Sequence, residues 1–122
     1  METVTRLPVY HQLGEGEGSE AMDLAWKQVT AGKLTATETV HVKGRDVPVP
    51  LAGAGAARFG FSDLCEKPLG ASDYAAVSER YHTVFVDGVP VLAETGRNAA
   101  KRFIMLIDTL YDRKNRLFVS AA

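Results

Sequence analysis

The sequence has little of the chemistry that most ligand sites require. One cysteine, Cys65, among 122 residues excludes an internal disulfide, and a lone thiol is typical of a reducing compartment. The histidines His11, His41 and His82 lack the spacing of a zinc site. No apolar run approaches the length of a transmembrane helix, and the N-terminus lacks the pattern of a signal peptide. We therefore expect a soluble, cytoplasmic chain without a metal site.

Strong charge and a phosphate-binding loop are also missing. The formal net charge of −1 gives no field that would attract nucleic acid, so we expect no nucleic-acid partner. GEGEGSE (14–20) has no lysine, and GAGAARFG (53–60) lacks the GK[ST] ending of a nucleotide loop. Apolar residues make up 46% of the chain, which is enough for the core of one small domain. The sequence thus predicts a single unit, 1–122.

The first half, 1–58, predicts a helix and an edge hairpin. Ser19 can cap a helix that ends near Ala31, with an apolar stripe for packing. Within 38–51, ETVHVK and VPVPL alternate polar and apolar residues around the turn KGRD, which indicates a β-hairpin. The prolines of VPVP forbid full pairing on both sides, so we expect this hairpin at a sheet edge. The stripe of the first helix comprises Met22, Ala25, Trp26 and Val29.

The second half, 59–122, predicts a strand–helix–strand unit of parallel α/β type. RFGF reads as a strand, SDLC as a helical turn capped by Ser62, and ASDYAAVSERY as a helix capped by Ser72. HTVFVDGVPVL is the strongest strand, broken by a turn or bulge at Asp87-Gly88. Helices between neighbouring strands favour parallel pairing. The buried face of the second helix is predicted to comprise Tyr74, Val77 and Tyr81.

The C-terminal stretch RFIMLIDTLYDRKNRLFVSAA allows two interpretations. FIMLID resembles a buried strand that ends in a magnesium-binding acid, Asp108. At about 100° per residue, however, its apolar and polar residues separate into two arcs, which is typical of an amphipathic helix. We therefore predict a helix, followed by a strand over LFVSAA that continues beyond the chain. The predicted apolar arc comprises Phe103, Ile104, Leu106, Ile107, Leu110 and Tyr111; the polar arc comprises Arg97, Lys101, Arg102, Met105, Asp108, Thr109, Asp112 and Arg113.

Two charged stripes follow from the polar arc. Arg97, Lys101, Asp108 and Asp112 form one, and Asp112 can pair with Arg116, four residues later. Arg102, Thr109 and Arg113 form the other. No acid lies three or four residues from Arg102. It is either solvated or serves another element, a ligand or a neighbouring subunit, a role that suits the fixed donors of a guanidinium.

Residues 59–121 resemble the C-terminal part of the ZapE/Afg-type AAA+ ATPases. The resemblance is carried by F-x-x-L-C, D-Y, T-V-x-x-x-x-V-P, a basic pair before F-I, L-I-D, Y-D and S-A, in this order. The basic pair is Lys101-Arg102, whereas the family usually has two arginines, so a bidentate role is possible only at Arg102. The motif residues are Phe61, Leu64, Cys65, Asp73, Tyr74, Pro90, Phe103 and Tyr111.

This resemblance implies a partial P-loop-NTPase-like α/β sheet from an enzyme that binds and hydrolyses ATP with Mg²⁺. The family's phosphate loop, magnesium-binding acids and sensor motif do not occur in this sequence. We therefore expect an ATPase fragment with no catalytic residue and no cofactor of its own. Its expected partners are the rest of the ATPase chain, neighbouring protomers and a cell-division or client protein. The nucleotide or inter-subunit candidates are Arg102, Lys101, Asp108 and Asp112.

Two other functions are compatible with the sequence. A stand-alone interaction module would use the hairpin and the Arg102/Arg113 stripe as docking surfaces. A small unrelated enzyme would combine Asp73-Tyr74, His82 and Cys65 in a nucleophile site, although no spacing rule supports that combination.

Overall fold

A computed structural model describes the backbone of residues 9–13 and 18–121 and the side chains of residues 20–121. The GEGE segment at 14–17 and the side chain of Ser19 therefore lie outside the described residues. In chain order the helices and strands are β1 Val9–Leu13, α1 Gly18–Thr30, β2 Ala36–Val42, β3 Arg45–Gly53, β4 Ala56–Gly60, α2 Phe61–Cys65, α3 Ala71–Arg80, β5 Thr83–Val89, α4 Arg97–Asp112 and β6 Arg116–Ala121.

The strands form one mixed six-stranded sheet in the order β1-β6-β5-β4-β3-β2. The four strands β1, β6, β5 and β4 are parallel, whereas β3 pairs with β4, and β2 with β3, in antiparallel orientation. Two strand–helix–strand connections run along the sheet, one through α2 and α3 and one through α4. The predicted α/β class with a strand–helix–strand unit, an N-terminal helix and an edge hairpin is confirmed. The sheet joins strands from both predicted parts, 1–58 and 59–122.

The hairpin lies at the sheet edge for the reason that its prolines suggest. β2 is the edge strand, and the VPVP part of β3 pairs only with β2. β3 pairs with β4 only from Leu51 to Gly53, after both prolines. Because proline has no N–H for a second neighbour, β4 can pair with β3 only where the prolines end.

Each face of the sheet carries its own apolar cluster. On one face α1 packs over a small cluster, and the predicted stripe of Met22 and Trp26 is buried there. On the other face α2, α3 and α4 cover the larger core, which includes the predicted Tyr74, Val77 and Tyr81. The small cluster consists of Met22, Trp26, Ala56, Phe85 and Phe118.

The predicted serine caps of α2 and α3 are wrong. α2 begins at Phe61 after Gly60, and α3 begins at Ala71 after Gly70, so Ser62 and Ser72 already lie inside the helices. An aspartate in the first turn reaches back in each case. Asp63 accepts a hydrogen bond from Gly60 N–H (2.8 Å), and Asp73 accepts one from Gly70 N–H (2.7 Å). A carboxylate in the first turn also interacts favourably with the helix dipole.

α4 is a helix as predicted, but its buried face is rotated from the predicted apolar arc. Ala99, Leu106 and Leu110 are buried, whereas Ile104 is 56% exposed and Tyr111 44% exposed. The placement of Ile104 and Tyr111 on the buried side is therefore wrong. The physical reason is that α4 packs against α2 and α3 as well as the sheet. These neighbours cover the side of the helix that carries Arg102, and the opposite edge of the apolar arc is left in solvent.

Candidate functional site

The side of α4 that faces away from the core carries exposed apolar and charged side chains together. We call it the outer face. Its apolar members are exposed by 56% (Ile104), 38% (Met105) and 44% (Tyr111). The outer face consists of Arg97, Lys101, Ile104, Met105, Asp108, Tyr111 and Asp112, all of them exposed.

Charge on the outer face is divided along the helix. Arg97 and Lys101 lie in the first half of α4, and Asp108 and Asp112 lie in the second half. Within residues 20–121 none of these four side chains forms an ion pair. The predicted pair between Asp112 and Arg116 does not form, because α4 ends at Asp112 and Arg116 begins β6. Arg116 instead lies over the ring of Phe118, at 5.7 Å from its centroid.

Arg102 is separated from the other three candidate residues. Its side chain is half-buried, and Nη1 donates a hydrogen bond to the carbonyl oxygen of Cys65 at 3.1 Å. Cys65 is the last residue of α2, where carbonyls lack partners within the helix. Beside this bond, the rings of Phe61 and Phe103 pack at 5.7 Å between centroids. Arg102 therefore serves another element of the same chain, which is one of the roles that the sequence left open.

The contrast between Arg102 and Lys101 predicts unequal effects of alanine substitution. Arg102→Ala is expected to lower the free energy of unfolding by about 1–2 kcal/mol, because the Cys65 carbonyl loses a charged donor. Lys101→Ala removes an exposed side chain and is expected to change it by less than about 0.5 kcal/mol. Urea denaturation of both variants measures the difference. Equal, small losses would show that the Arg102 hydrogen bond contributes nothing to stability.

Most of the predicted motif residues lie at the contact of α2, α3 and α4. Phe61, Leu64, Cys65, Asp73 and Tyr74 are buried, Phe103 is half-buried and Pro90 lies at intermediate depth, whereas Tyr111 is exposed.

Two hydrogen-bonded contacts organise this region. The hydroxyl of Tyr74 donates to the carbonyl oxygen of Leu64 at 2.6 Å and fixes α3 to α2. Arg45 on β3 lies 3.3 Å from the carboxylate of Asp73 and donates to the carbonyl oxygen of Pro68 at 3.0 Å. The edge hairpin is thereby attached to the segment between α2 and α3.

Burial makes the thiol and the phenol of this region poor nucleophiles. It raises the pKa of Cys65 to about 12, an effect that the positive charge of Arg102 reduces only in part. Burial likewise raises the pKa of Tyr74. His82 lies apart, with Nδ1 at 2.7 Å from Thr83 Oγ1 and Nε2 at 3.0 Å from the carbonyl oxygen of Ala54. The small-enzyme hypothesis therefore lacks an activated nucleophile at Cys65 or Tyr74.

Sequence reasoning missed an ionic cluster on the α1 face of the sheet. Arg58 on β4 makes two hydrogen bonds to Asp87 on β5, at 2.7 Å from Nε and 3.1 Å from Nη2. Its third nitrogen, Nη1, lies 2.9 Å from the carboxylate of Asp23 on α1. Arg58 is thus held by two carboxylates and clamps α1 to two parallel strands. No local pattern could have revealed this cluster, because its members are far apart in sequence.

The Arg58 cluster stabilises the fold and acts as a structural clamp. The side chain of Arg58 is only 15% exposed. Burial alone would lower the pKa of Arg58, but the hydrogen bonds and charges of Asp87 and Asp23 outweigh it, and the pKa is raised. Each nitrogen of the guanidinium already faces a carboxylate, so Arg58 is committed to the protein's own acids. One residue after Asp87, Gly88 donates its N–H to the Ser120 hydroxyl at 3.1 Å, at the bulge of β5.

Residues 20–121 contain no group of three or more histidine, cysteine, aspartate or glutamate side chains placed to hold a metal ion. In the same described part of the chain, no helix is both long and apolar enough to cross a membrane.

Comparison with known proteins identifies relatives. The family model described as AFG1-like ATPase matches residues 1–122. The chain is 31% identical over 125 aligned residues to the cell division protein ZapE of Escherichia coli, which covers 99% of the chain and 32% of ZapE. It is 30% identical over 115 residues to lactation elevated protein 1 homolog B of Danio rerio, covering 93% of the chain and 23% of that protein.

A third relative is an uncharacterized protein of Schizosaccharomyces pombe. It is 38% identical over 84 residues, which is 69% of the chain and 18% of that protein. In each case the chain spans less than a third of the relative's length. No solved structure gives a significant match.

Proposed function

Because the chain belongs to the AFG1-like ATPase family, we propose that it acts as a structural and interaction unit of an ATPase of this family. In this proposal ATP and Mg²⁺ are held by residues outside the 122-residue chain, which itself completes the sheet and presents a surface. The proposal is supported above all by one combination. The family match covers the whole chain, yet the sequence has no GK[ST] loop, and the chain covers less than a third of each relative described.

The contacts within the fold favour a structural role for this chain over a catalytic one. The strongest ionic contacts, Arg58 with Asp87 and Asp23, join the chain's own elements. Arg102 is likewise bonded to the backbone of α2. The outer face of α4, where three of the predicted candidates lie, is exposed and available for contact with other molecules. Lys101, Asp108 and Asp112 are therefore proposed to contact a neighbouring protomer rather than nucleotide.

The cellular role follows from the relatives as part of the same proposal. The Escherichia coli relative is named as a cell division protein, and we extend that role, in the cytoplasm, to an ATPase that contains this chain. A cell-division protein or another client is then the expected partner, and protein quality control is the alternative process.

An ATPase assay tests whether the nucleotide site lies elsewhere. The purified chain is expected to release no phosphate above the buffer rate. Isothermal titration with MgATP is expected to show no binding. Escherichia coli ZapE, assayed in parallel, serves as the control for the reagents. The proposal would be contradicted by ATP hydrolysis that follows the chain through purification and that changes when Lys101 or Asp108 is substituted.

A hybrid protein tests the supporting role directly. Residues 59–121 replace the matching segment of Escherichia coli ZapE, and the hybrid is compared with ZapE from which that segment is deleted. We expect ATPase activity in the hybrid and its loss in the deletion variant. Activity that survives the deletion would show that the segment is dispensable for hydrolysis.

The alternative function is a stand-alone interaction module, which the exposed apolar and charged outer face favours. The genomic reading frame distinguishes the two. A phosphate-binding loop encoded in frame upstream of Met1 supports the ATPase unit, whereas a natural start at Met1 supports the module.

A further inference from the structure

The charges of the outer face are placed unfavourably for their own helix. A helix is positive at its N-terminus and negative at its C-terminus, so acids are favourable in the first turn and bases in the last. α4 has no acid in its first turn and no base in its last. Instead Arg97 lies in the first turn, and Asp112 is the final residue. Arg97 therefore opposes the dipole at the N-terminus, as does Asp112 at the last helical position, although the basic Arg113 and Lys114 follow directly.

Spacing adds a second unfavourable feature. Arg97 and Lys101 are four residues apart, and so are Asp108 and Asp112. Like charges at this spacing are neighbours on a helix surface and repel each other. None of the four has an ion-pair partner within residues 20–121. The charges of the outer face are therefore not neutralised within the described residues and are available to another molecule.

The same arrangement is self-complementary. Arg97 and Asp112, and likewise Lys101 and Asp108, lie symmetrically about the midpoint between Ile104 and Met105. A second α4 in antiparallel orientation, related by a two-fold axis at this midpoint, therefore brings each basic residue opposite an acidic one. The N-terminal end of each helix also meets the C-terminal end of the other, which is favourable for both dipoles.

Apolar side chains lie at the centre of this arrangement. Ile104 and Met105 flank the midpoint and are 56% and 38% exposed in the single chain. In the antiparallel pair, Ile104 and Met105 of one helix face Met105 and Ile104 of the other. Tyr111, 44% exposed, extends the apolar surface toward the end of the helix. A small apolar centre with charges on either side is typical of protein interfaces.

We propose that two copies of the chain associate through the outer faces of their α4 helices, packed antiparallel about a two-fold axis. Lys101 of each copy pairs with Asp108 of the other, and Arg97 with Asp112. A two-fold contact of this kind uses the same patch on both copies and closes at the dimer. This proposal does not depend on the ATPase role and can fail or succeed independently of it.

The dimer is weak because the surface is small. A helix of 16 residues is about 24 Å long, and one helix pair lies at the low end of interface sizes, below about 1,200 Å². We expect a dissociation constant on the order of 100 µM at low salt. It should rise with ionic strength, since solvent-exposed ion pairs are screened. Sedimentation equilibrium of the complete 122-residue chain, over concentrations on both sides of that value, measures the association.

Charge reversal and charge exchange give the decisive test. Lys101→Glu places like charges opposite each other twice in the dimer and is expected to weaken association at least about tenfold. The double variant K101E/D108K exchanges the charges within one chain and restores both pairs. It is expected to associate within about threefold of the original chain. A double variant as weak as the single one would overturn the proposed pairing.

A mixing experiment tests the symmetry. R97E/K101E makes the outer face acidic, and D108K/D112K makes it basic, so each variant alone is expected to be monomeric. An equimolar mixture is expected to form a heterodimer, because all four charge pairs are then complementary. The first variant also agrees better with its own helix dipole, so unfolding does not explain a loss of association. Circular dichroism checks that both variants remain folded.

Two further results would overturn the proposal. The original chain could remain monomeric at about ten times the expected dissociation constant, which would assign the outer face to a different partner. Alternatively, the two variants could fail to associate on mixing while the original chain dimerises, which would place the contact elsewhere on the surface.

Discussion

Replacing Phe85 with alanine is expected to lower the free energy of unfolding by about 3–5 kcal/mol, the usual cost of removing a buried aromatic side chain. The ring of Phe85 is stacked on Phe118, at 4.5 Å between centroids and 8° between planes. Trp26 makes an edge contact with the same ring, at 5.1 Å between centroids and 86° between planes. Since the cluster on the α1 face has only five buried apolar residues, few neighbours can move into the space, and α1 loses its main contact.

Urea denaturation, followed by the fluorescence of Trp26, measures this loss. Trp26 is the only tryptophan of the chain and touches Phe85, so its signal reports the α1 face itself. Tyr111→Ala is the matched control, because it removes an aromatic ring that is 44% exposed. We expect it to cost less than about 0.5 kcal/mol. Similar losses for the two variants would contradict the assignment of Phe85 to the core.

Leu106→Ala is expected to cost about 2–5 kcal/mol, whereas Ile104→Ala on the same helix should cost less than about 0.5 kcal/mol. Leu106 is completely buried in the larger core, and Ile104 is 56% exposed. The sequence places both residues on one apolar arc. Comparing the two variants therefore tests which side of α4 faces the core. Dilute protein keeps the measurement free of any contribution from association.

The same urea titration gives both values. Large losses of unfolding free energy at both Leu106 and Ile104 would mean that the whole predicted apolar arc is buried. That result would contradict the exposure of Ile104 in the structure. Two small losses would show that α4 is only loosely attached to the core. Only a large loss at Leu106 with a small one at Ile104 agrees with the structure.

Much of the fold could be predicted because it depends on local rules. Alternating polar and apolar residues with Pro48 and Pro50 specify the edge hairpin, and β3 pairs with β4 only beyond those prolines. The bulge of β5 follows from Gly88, whose φ of 71° is available to glycine at little cost. The caps of α2 and α3 were less predictable. Serine and aspartate near a helix start are both good candidates, and only the backbone decides which of them is used.

The candidate site was predicted only in part. Lys101, Asp108 and Asp112 lie on one exposed face because four-residue spacing is a property of any helix. Arg102 differs from Lys101 only through its distant neighbour, the carbonyl oxygen of Cys65. Arg58 is bound to Asp23 and Asp87, residues that are adjacent only once α1 lies on the sheet.

The sequence by itself determined the α/β class, the edge hairpin, the helix over Arg97–Asp112 and the family resemblance, because each depends on residue order and period. Tertiary structure alone decided which side of α4 is buried, how Arg58 is neutralised and what the guanidinium of Arg102 binds. The physical reason is that burial and ion pairing depend on which elements pack together. A helical period gives the angular positions of the side chains, but the neighbouring helices decide which of those angles face solvent.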